Sequence, residues 1–149
     1  EVSGPFGDMF LHDDHIKGPI ILVAGGVGLA PLRSMLEMLR EIDFPQPVWL
    51  FHGARSRKNL YCEEYFRELA RQHAAFSYLP ALSNPMLEEG WVGSRGMIQE
   101  LLEKHEIEPT AAATAFICGP GPMMQAVTKV LVAKGLPSDR ILTDPFDFT

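Results

Sequence analysis

Short unbroken apolar runs alternate along this chain with longer stretches in which apolar residues return at every third or fourth position. Within 19–24, Ile20-Ile21-Leu22-Val23 is apolar at every position, the signature of a parallel strand covered on both faces. Leu29, Leu32, Met35, Leu36 and Leu39 follow at helical spacing, which predicts a helix from about Ala30 to Glu41. The same alternation predicts strands at 47–52, 76–82, 113–118 and 140–143, and helices at 59–73, 94–105 and 121–134. Five strands interleaved with four helices predict an α/β fold, a doubly wound five-stranded parallel sheet with helices on both faces. In such a sheet the ligand site lies beyond the carboxyl ends of the strands. The loops to inspect are therefore 25–31, 53–58, 82–93 and 118–123.

Residues 1–18 develop no apolar period and are punctuated by Gly and Pro, so they read as a turn-rich lead-in, with the compact domain spanning 19–149. A chain of 149 residues suits one α/β domain. Thirteen basic against nineteen acidic residues give a formal charge of −6 with no basic tract, which excludes the electrostatic footprint of a nucleic-acid binder. No apolar run is long enough to cross a bilayer. Cys62 and Cys118 are far apart, fit a reducing compartment, and are too few to ligate an iron–sulfur cluster, which needs about four cysteines. His12-Asp13-Asp14-His15 offers metal-ligand types, but in a turn-rich lead-in without supporting residues it reads as solvated, and no metal site is expected.

The chemistry is carried by turns at strand ends. Gly25-Gly26-Val27-Gly28-Leu29-Ala30-Pro31 joins the first strand to the first helix. Its glycines admit close backbone approach, Pro31 starts a helix without losing a needed donor, and free N–H groups at the helix's positive end seat a pyrophosphate. The loop lacks the G-K-[ST] ending of a triphosphate P-loop, and Pro31 stands where the dehydrogenase fingerprint has a third glycine. A tight βα turn without a ligand remains the alternative reading of the loop alone.

This G-x-G-x-x-P turn resembles that of the dinucleotide-binding module of the ferredoxin–NADP⁺ reductase superfamily, and three further segments match in order. Phe51-His52-Gly53-Ala54-Arg55-Ser56 with Leu60-Tyr61-Cys62-Glu63-Glu64 is similar to the family's second strand, loop and helix. Ala81-Leu82-Ser83 with Trp91-Val92-Gly93 and Gly96 resembles its loop after strand three. Ile117-Cys118-Gly119-Pro120-Gly121-Pro122-Met123-Met124 resembles its C-G-P-x-x-M turn. The chain looks most like the NADH-oxidising reductase components of multicomponent oxygenases and of sodium-pumping NADH–quinone reductase.

The resemblance implies that Cys118 sits beside the nicotinamide at the hydride-transfer position, and that Phe146, in Thr143-Asp144-Pro145-Phe146, covers a flavin face; Phe146 as a core-closing aromatic is the alternative. It implies dinucleotide contacts from Gly25, Gly26, Val27, Gly28, Pro31, Gly53, Ala54, Arg55, Ser83, Asn84, Gly119, Pro120 and Met123. Ser3-Gly4-Pro5-Phe6-Gly7-Asp8 resembles the end of a preceding flavin domain, while the family's R-x-Y-S flavin signature is absent. The implied protein therefore holds FAD on a domain in cis, with no complete flavin site in this chain. It passes electrons to an iron–sulfur domain or partner protein, in the cytoplasm or at the cytoplasmic face of a membrane complex. A docking or sensing module without catalysis, or an electron-transfer subunit of hydrogenase or dihydroorotate-dehydrogenase type, is the alternative.

NADPH-using members carry Ser-Arg after strand three, and here the pair is Ser83-Asn84, which points to NADH over NADPH. Arg55, Arg57 and Lys58 in the loop after strand two are the basic residues that bear on the opposite choice. Trp91 either flanks an adenine or anchors the core, and Arg33 either assists the pyrophosphate or pairs with Glu37.

Overall fold

A computed structural model describes residues 18–26, 29–107 and 112–145. The expectations for Val27, Gly28, Phe146, the turn at 3–8 and the quartet at 12–15 lie outside the described residues.

The sheet runs β1 (Ile20–Gly25), β2 (Val48–Ala54), β3 (Phe76–Leu82), β4 (Ser94–Arg95), β5 (Thr114–Gly119) and β6 (Ile141–Pro145). Its spatial order is β4-β3-β2-β1-β5-β6, and every neighbouring pair is parallel. Four helices separate the strands: α1 (Ala30–Glu41), α2 (Glu63–Gln72), α3 (Ile98–Lys104) and α4 (Gly121–Ala133).

The all-apolar first run sits where a doubly covered strand belongs. Ile20, Leu22 and Ala24 pack with Leu32, Leu36 and Leu39 of α1 and Phe66 and Leu69 of α2. Ile21 and Val23 pack on the opposite face with Ile98 and Leu102 of α3 and Val127 and Leu131 of α4. Alternating β1 side chains thus serve two cores, as the two-residue period of a strand requires. A smaller cluster of Ala54, Leu60, Leu82 and Trp91 closes the β3–β4 side.

Three expectations change. The sheet has six strands, because Ser94 and Arg95 pair with Ala81 and Leu82 at its edge. Both added residues are solvent-exposed and so carry no apolar mark in the sequence. The helix expected from Ser94 begins instead at Ile98. Gly96 takes φ +119°, and the Glu100 carboxylate accepts the Met97 N–H at 2.8 Å, starting the helix there as the acidic half of a capping box does. The helix expected from Asn59 begins at Glu63. A separate 3₁₀ turn at Arg57–Asn59 and the left-handed Cys62, φ 64°, stand before it.

Candidate dinucleotide site

The chain builds β1 to β4 outward on one side, then returns across to lay β5 against the other edge of β1. The switch point of the topology is therefore the gap beyond the carboxyl ends of β1 and β5, where an open α/β sheet forms its crevice. The helices that leave these two strands, α1 and α4, both begin there, at Ala30 and Gly121. Neither N-terminus is capped by a side chain, which leaves backbone donors and the positive dipole end for a ligand's anion.

A cleft of about 180 Å³ opens at this edge. Gly25 and Gly26 line it from β1, Gly53, Ala54 and Arg55 from β2, Ser83 from β3, and Pro120 and Met123 from α4. Eight of the residues singled out from the sequence therefore converge on one cavity. Gly96, Met97, Ile98 and Gln99 complete the wall. Met97, Ile98 and Gln99 were missed because the sequence placed them inside a helix rather than at its start.

Backbone bonds make the rim continuous. Gly26 N–H donates to Gly53 O at 3.2 Å, Ser83 N–H to Ala54 O at 3.0 Å, Asn84 N–H to Arg55 O at 2.8 Å, and Gly96 N–H to Leu82 O at 2.9 Å. The ends of four strands, β1 to β4, are thereby held to one another. Gly26 sits at φ +61° with open space where a Cβ would stand, so its backbone presents itself to a ligand without a side chain between. The Met123 side chain lies against Gly25 and Gly119 and bridges the two central strands. Bare backbone, two helix N-termini and one exposed arginine, Arg55, form a donor set that fits a pyrophosphate-bridged dinucleotide.

The remaining sequence candidates take other places. Pro31 lies in the first turn of α1, Gly119 lies beneath Met123, and Asn84 contributes its backbone bond to Arg55; none of the three lines the cleft. Cys118 is fully buried in the core on the α1 and α2 side. Burial and, secondarily, the facing Asp144 push its thiol up to about 12, so it stays protonated and unreactive. We predict that iodoacetamide at about pH 8 modifies the partly exposed Cys62 in the native protein while Cys118 reacts only after denaturation. Peptide mass spectrometry reads the order, and early labelling of Cys118 would contradict it.

Trp91 is 5% exposed and its indole N–H donates to Ser94 O at 2.9 Å, so it anchors the β3–β4 connection and stays out of the cleft lining. Arg33 does not pair with Glu37. Its guanidinium donates to Cys62 Sγ at 3.4 Å and lies 4.7 Å from the Tyr65 ring, while Glu37 is held by Arg40. Among the described residues no group of His, Cys, Asp and Glu side chains is placed to hold a metal. No helix among them is long and apolar enough to cross a membrane.

A family model, the oxidoreductase NAD-binding domain, matches residues 22–129. The chain belongs to that family. The match spans β1 through most of α4 and so contains every strand end that forms the cleft. Among similar proteins, the reductase component DmpP of phenol 2-monooxygenase from Pseudomonas sp. (strain CF600) is 38% identical over 132 residues, covering 89% of this chain and 37% of that protein. One component of the Na(+)-translocating NADH-quinone reductase of Klebsiella pneumoniae is 32% identical over 149 residues, covering 97% of this chain and 36% of that protein. This NAD-binding domain thus spans little more than a third of the curated relatives it matches. Among solved structures, the Amycolatopsis cytochrome P450 reductase GcoB superposes with a TM-score of 0.78 at 28% identity, over 96% of this chain and 42% of that one. A ferredoxin NADP+ reductase from Neisseria gonorrhoeae shares the fold at a TM-score of 0.69 and 22% identity. The membership of the ferredoxin–NADP⁺ reductase superfamily expected from the four turns is met, as is the α/β architecture.

Proposed function

We propose that this domain binds NADH in the cleft at the ends of β1, β2 and β5 and presents it to a flavin held by a domain in cis. The observation that carries the proposal is the glycine-lined crevice at the switch point, walled by Gly25, Gly26, Gly53 and Gly96 and flanked by two uncapped helix N-termini. When bound, the nicotinamide supplies a hydride, and the flavin accepts it.

The domain's own part is placement. Gly26 and the starts of α1 and α4 hold the pyrophosphate. Arg55 and Ser83 hold one end of the dinucleotide, and Pro120 and Met123 shape the other end beside Cys118. The buried Cys118 thiol acts by packing, a role in which its neutral form suffices. Phe146 covers the flavin, and electrons leave through an iron–sulfur domain or partner on the cytoplasmic side. That DmpP and the sodium-translocating relative are both parts of reductases supports this reading over a sensing module.

Isothermal titration of the folded chain should give saturable NADH binding in the micromolar-to-millimolar range usual for cofactor sites, with no NADH oxidation, because the hydride has no acceptor in this chain. Absence of heat from a chain shown to be folded would sink the cofactor reading. Restoring the flavin domain and supplying a dye acceptor should produce turnover.

A further inference from the structure

Arg55, Arg57 and Lys58 put three cations into four residues, of which Arg55 lines the cleft, a composition suited to a phosphate on the adenosine ribose. The structure turns that loop to another use. Glu63, its side chain only 10% exposed, takes the Arg57 guanidinium at both oxygens, Nε to Oε1 at 3.1 Å and Nη2 to Oε2 at 3.3 Å. The same carboxylate accepts from Arg67 at 2.8 Å, and both guanidinium groups lie over the Trp91 ring, at 5.6 and 5.9 Å. Arg57 is thereby engaged away from the cleft.

Glu89 does the corresponding thing to the loop's backbone. Its Oε1 accepts the N–H of Arg57 at 3.1 Å and of Met86 at 3.0 Å, and its Oε2 accepts the N–H of Lys58 at 3.3 Å. Desolvation works against ionisation here, but the three backbone donors outweigh it and hold the carboxyl below its ordinary range. An anion supplied by the β3–β4 connection thus occupies the donors that an incoming anion would need.

We propose that Glu89, with Glu63 behind it, is the specificity determinant that makes this cleft reject a 2′-phosphate and accept a free ribose, selecting NADH against NADPH. The proposal rests on the reading of the cleft as a nicotinamide-dinucleotide site. A 2′-phosphate beside Arg55 meets a basic loop whose Arg57 and Lys58 N–H groups and Arg57 guanidinium are already taken by carboxylates, whereas a neutral hydroxyl needs none of those donors. The selectivity lies in a tether between two loops, outside the residues that line the cavity.

The test compares NADH and NADPH titrations of the wild-type chain with those of Glu89→Ala and Glu89→Gln. Removing the charge should tighten NADPH binding by about tenfold and move NADH affinity much less. Adding Lys58→Ala to Glu89→Ala should erase the gain, because the freed basic loop supplies it. If Glu89→Ala melts early, Glu89→Gln keeps an oxygen acceptor and carries the same comparison, and a purely structural tether would change both affinities in parallel. Equal changes for the two cofactors, or no gain for NADPH, overturn the proposal while leaving the NADH site intact. Failure of the wild-type chain to bind NADH would instead overturn the reading beneath it.

Discussion

Gly53→Ala is expected to lower stability by about 1–3 kcal/mol and to weaken NADH binding together with it. The added Cβ would stand 2.9 Å from the Cβ of Ile98, closer than two such carbons approach. Ile98 opens α3, is 4% exposed and packs in the core with Leu102 and Val127. Its β-branched side chain has little rotamer freedom in a helix, so the start of α3 must shift as a body. That segment carries Met97, Ile98 and Gln99 along the cleft wall, and Gly53 O also holds the Gly26 N–H. Strain at one strand end is thereby passed to the wall and to the phosphate loop. Ile98→Val should not relieve the defect, because the contact is made through Cβ itself. Urea unfolding and NADH titration check both effects; a variant within about 0.5 kcal/mol of wild type that binds normally would show the wall to be more plastic than its packing implies.

Acid should weaken the fold through His52. This side chain is fully buried on β2, with Nδ1 2.8 Å from the Tyr78 hydroxyl and Nε2 buried without a hydrogen-bond partner. Burial lowers its pKa from 6.5 to about 4, although the Glu63 charge works the other way. The unfolded chain therefore takes up a proton near 6.5 while the folded chain refuses it until about 4, so in that window the unfolded state binds more protons. Stability from this group is complete above the unfolded pKa and drains away as pH falls through the window. The loss amounts to about 3 kcal/mol when complete. His52→Gln should flatten this part of the stability profile, most visibly between about pH 6 and 4, a range set by the two protonation steps. Persistence of the same acid slope in that variant would assign it to other groups.

Much of the fold was legible because burial on both faces leaves an unmistakable mark. The strand at Ile20–Val23 and the helix over 30–41 were readable from apolar spacing alone, since Ile20 to Ala24 and the Leu32-Met35-Leu36-Leu39 stripe face a core. The edge was not legible for the converse reason. Ser94 and Arg95 pair by backbone only, with exposed side chains, and nothing in residue type distinguishes such a strand from a loop. Gly25 and Gly26 were found because turn chemistry restricts which residues stand at a strand end, whereas Gly53, Arg55, Ser83, Pro120 and Met123 were found through the resemblance of their segments to the family's turns. Glu89 was missed because two of its partners are backbone N–H groups 32 and 31 residues away. The Glu three residues beyond Met86, a half capping box, was the available local signal, and it reports only the local bond. Glu63 had one readable partner, Arg67 at i+4, and one that only the fold supplies, Arg57.

The return of the chain across the sheet has a consequence for biosynthesis. Most of the crevice wall, from Gly25 to Gln99, precedes β5 in the chain, and Pro120 and Met123, which close it, lie beyond Thr114. A growing chain thus carries its phosphate loop for about eighty residues, from the start of α1 at Ala30 to Thr114, before the partner edge exists. Until β5 docks on β1, one edge of that fully apolar strand is unpaired and prone to wrong partners. On the proposed binding, the dinucleotide would have nothing to grip in that interval and would favour only the finished sheet, by an amount that grows with its concentration relative to Kd. Cofactor abundance would therefore act on the yield of folded domain at its last step, after the sheet has closed around its own first strand.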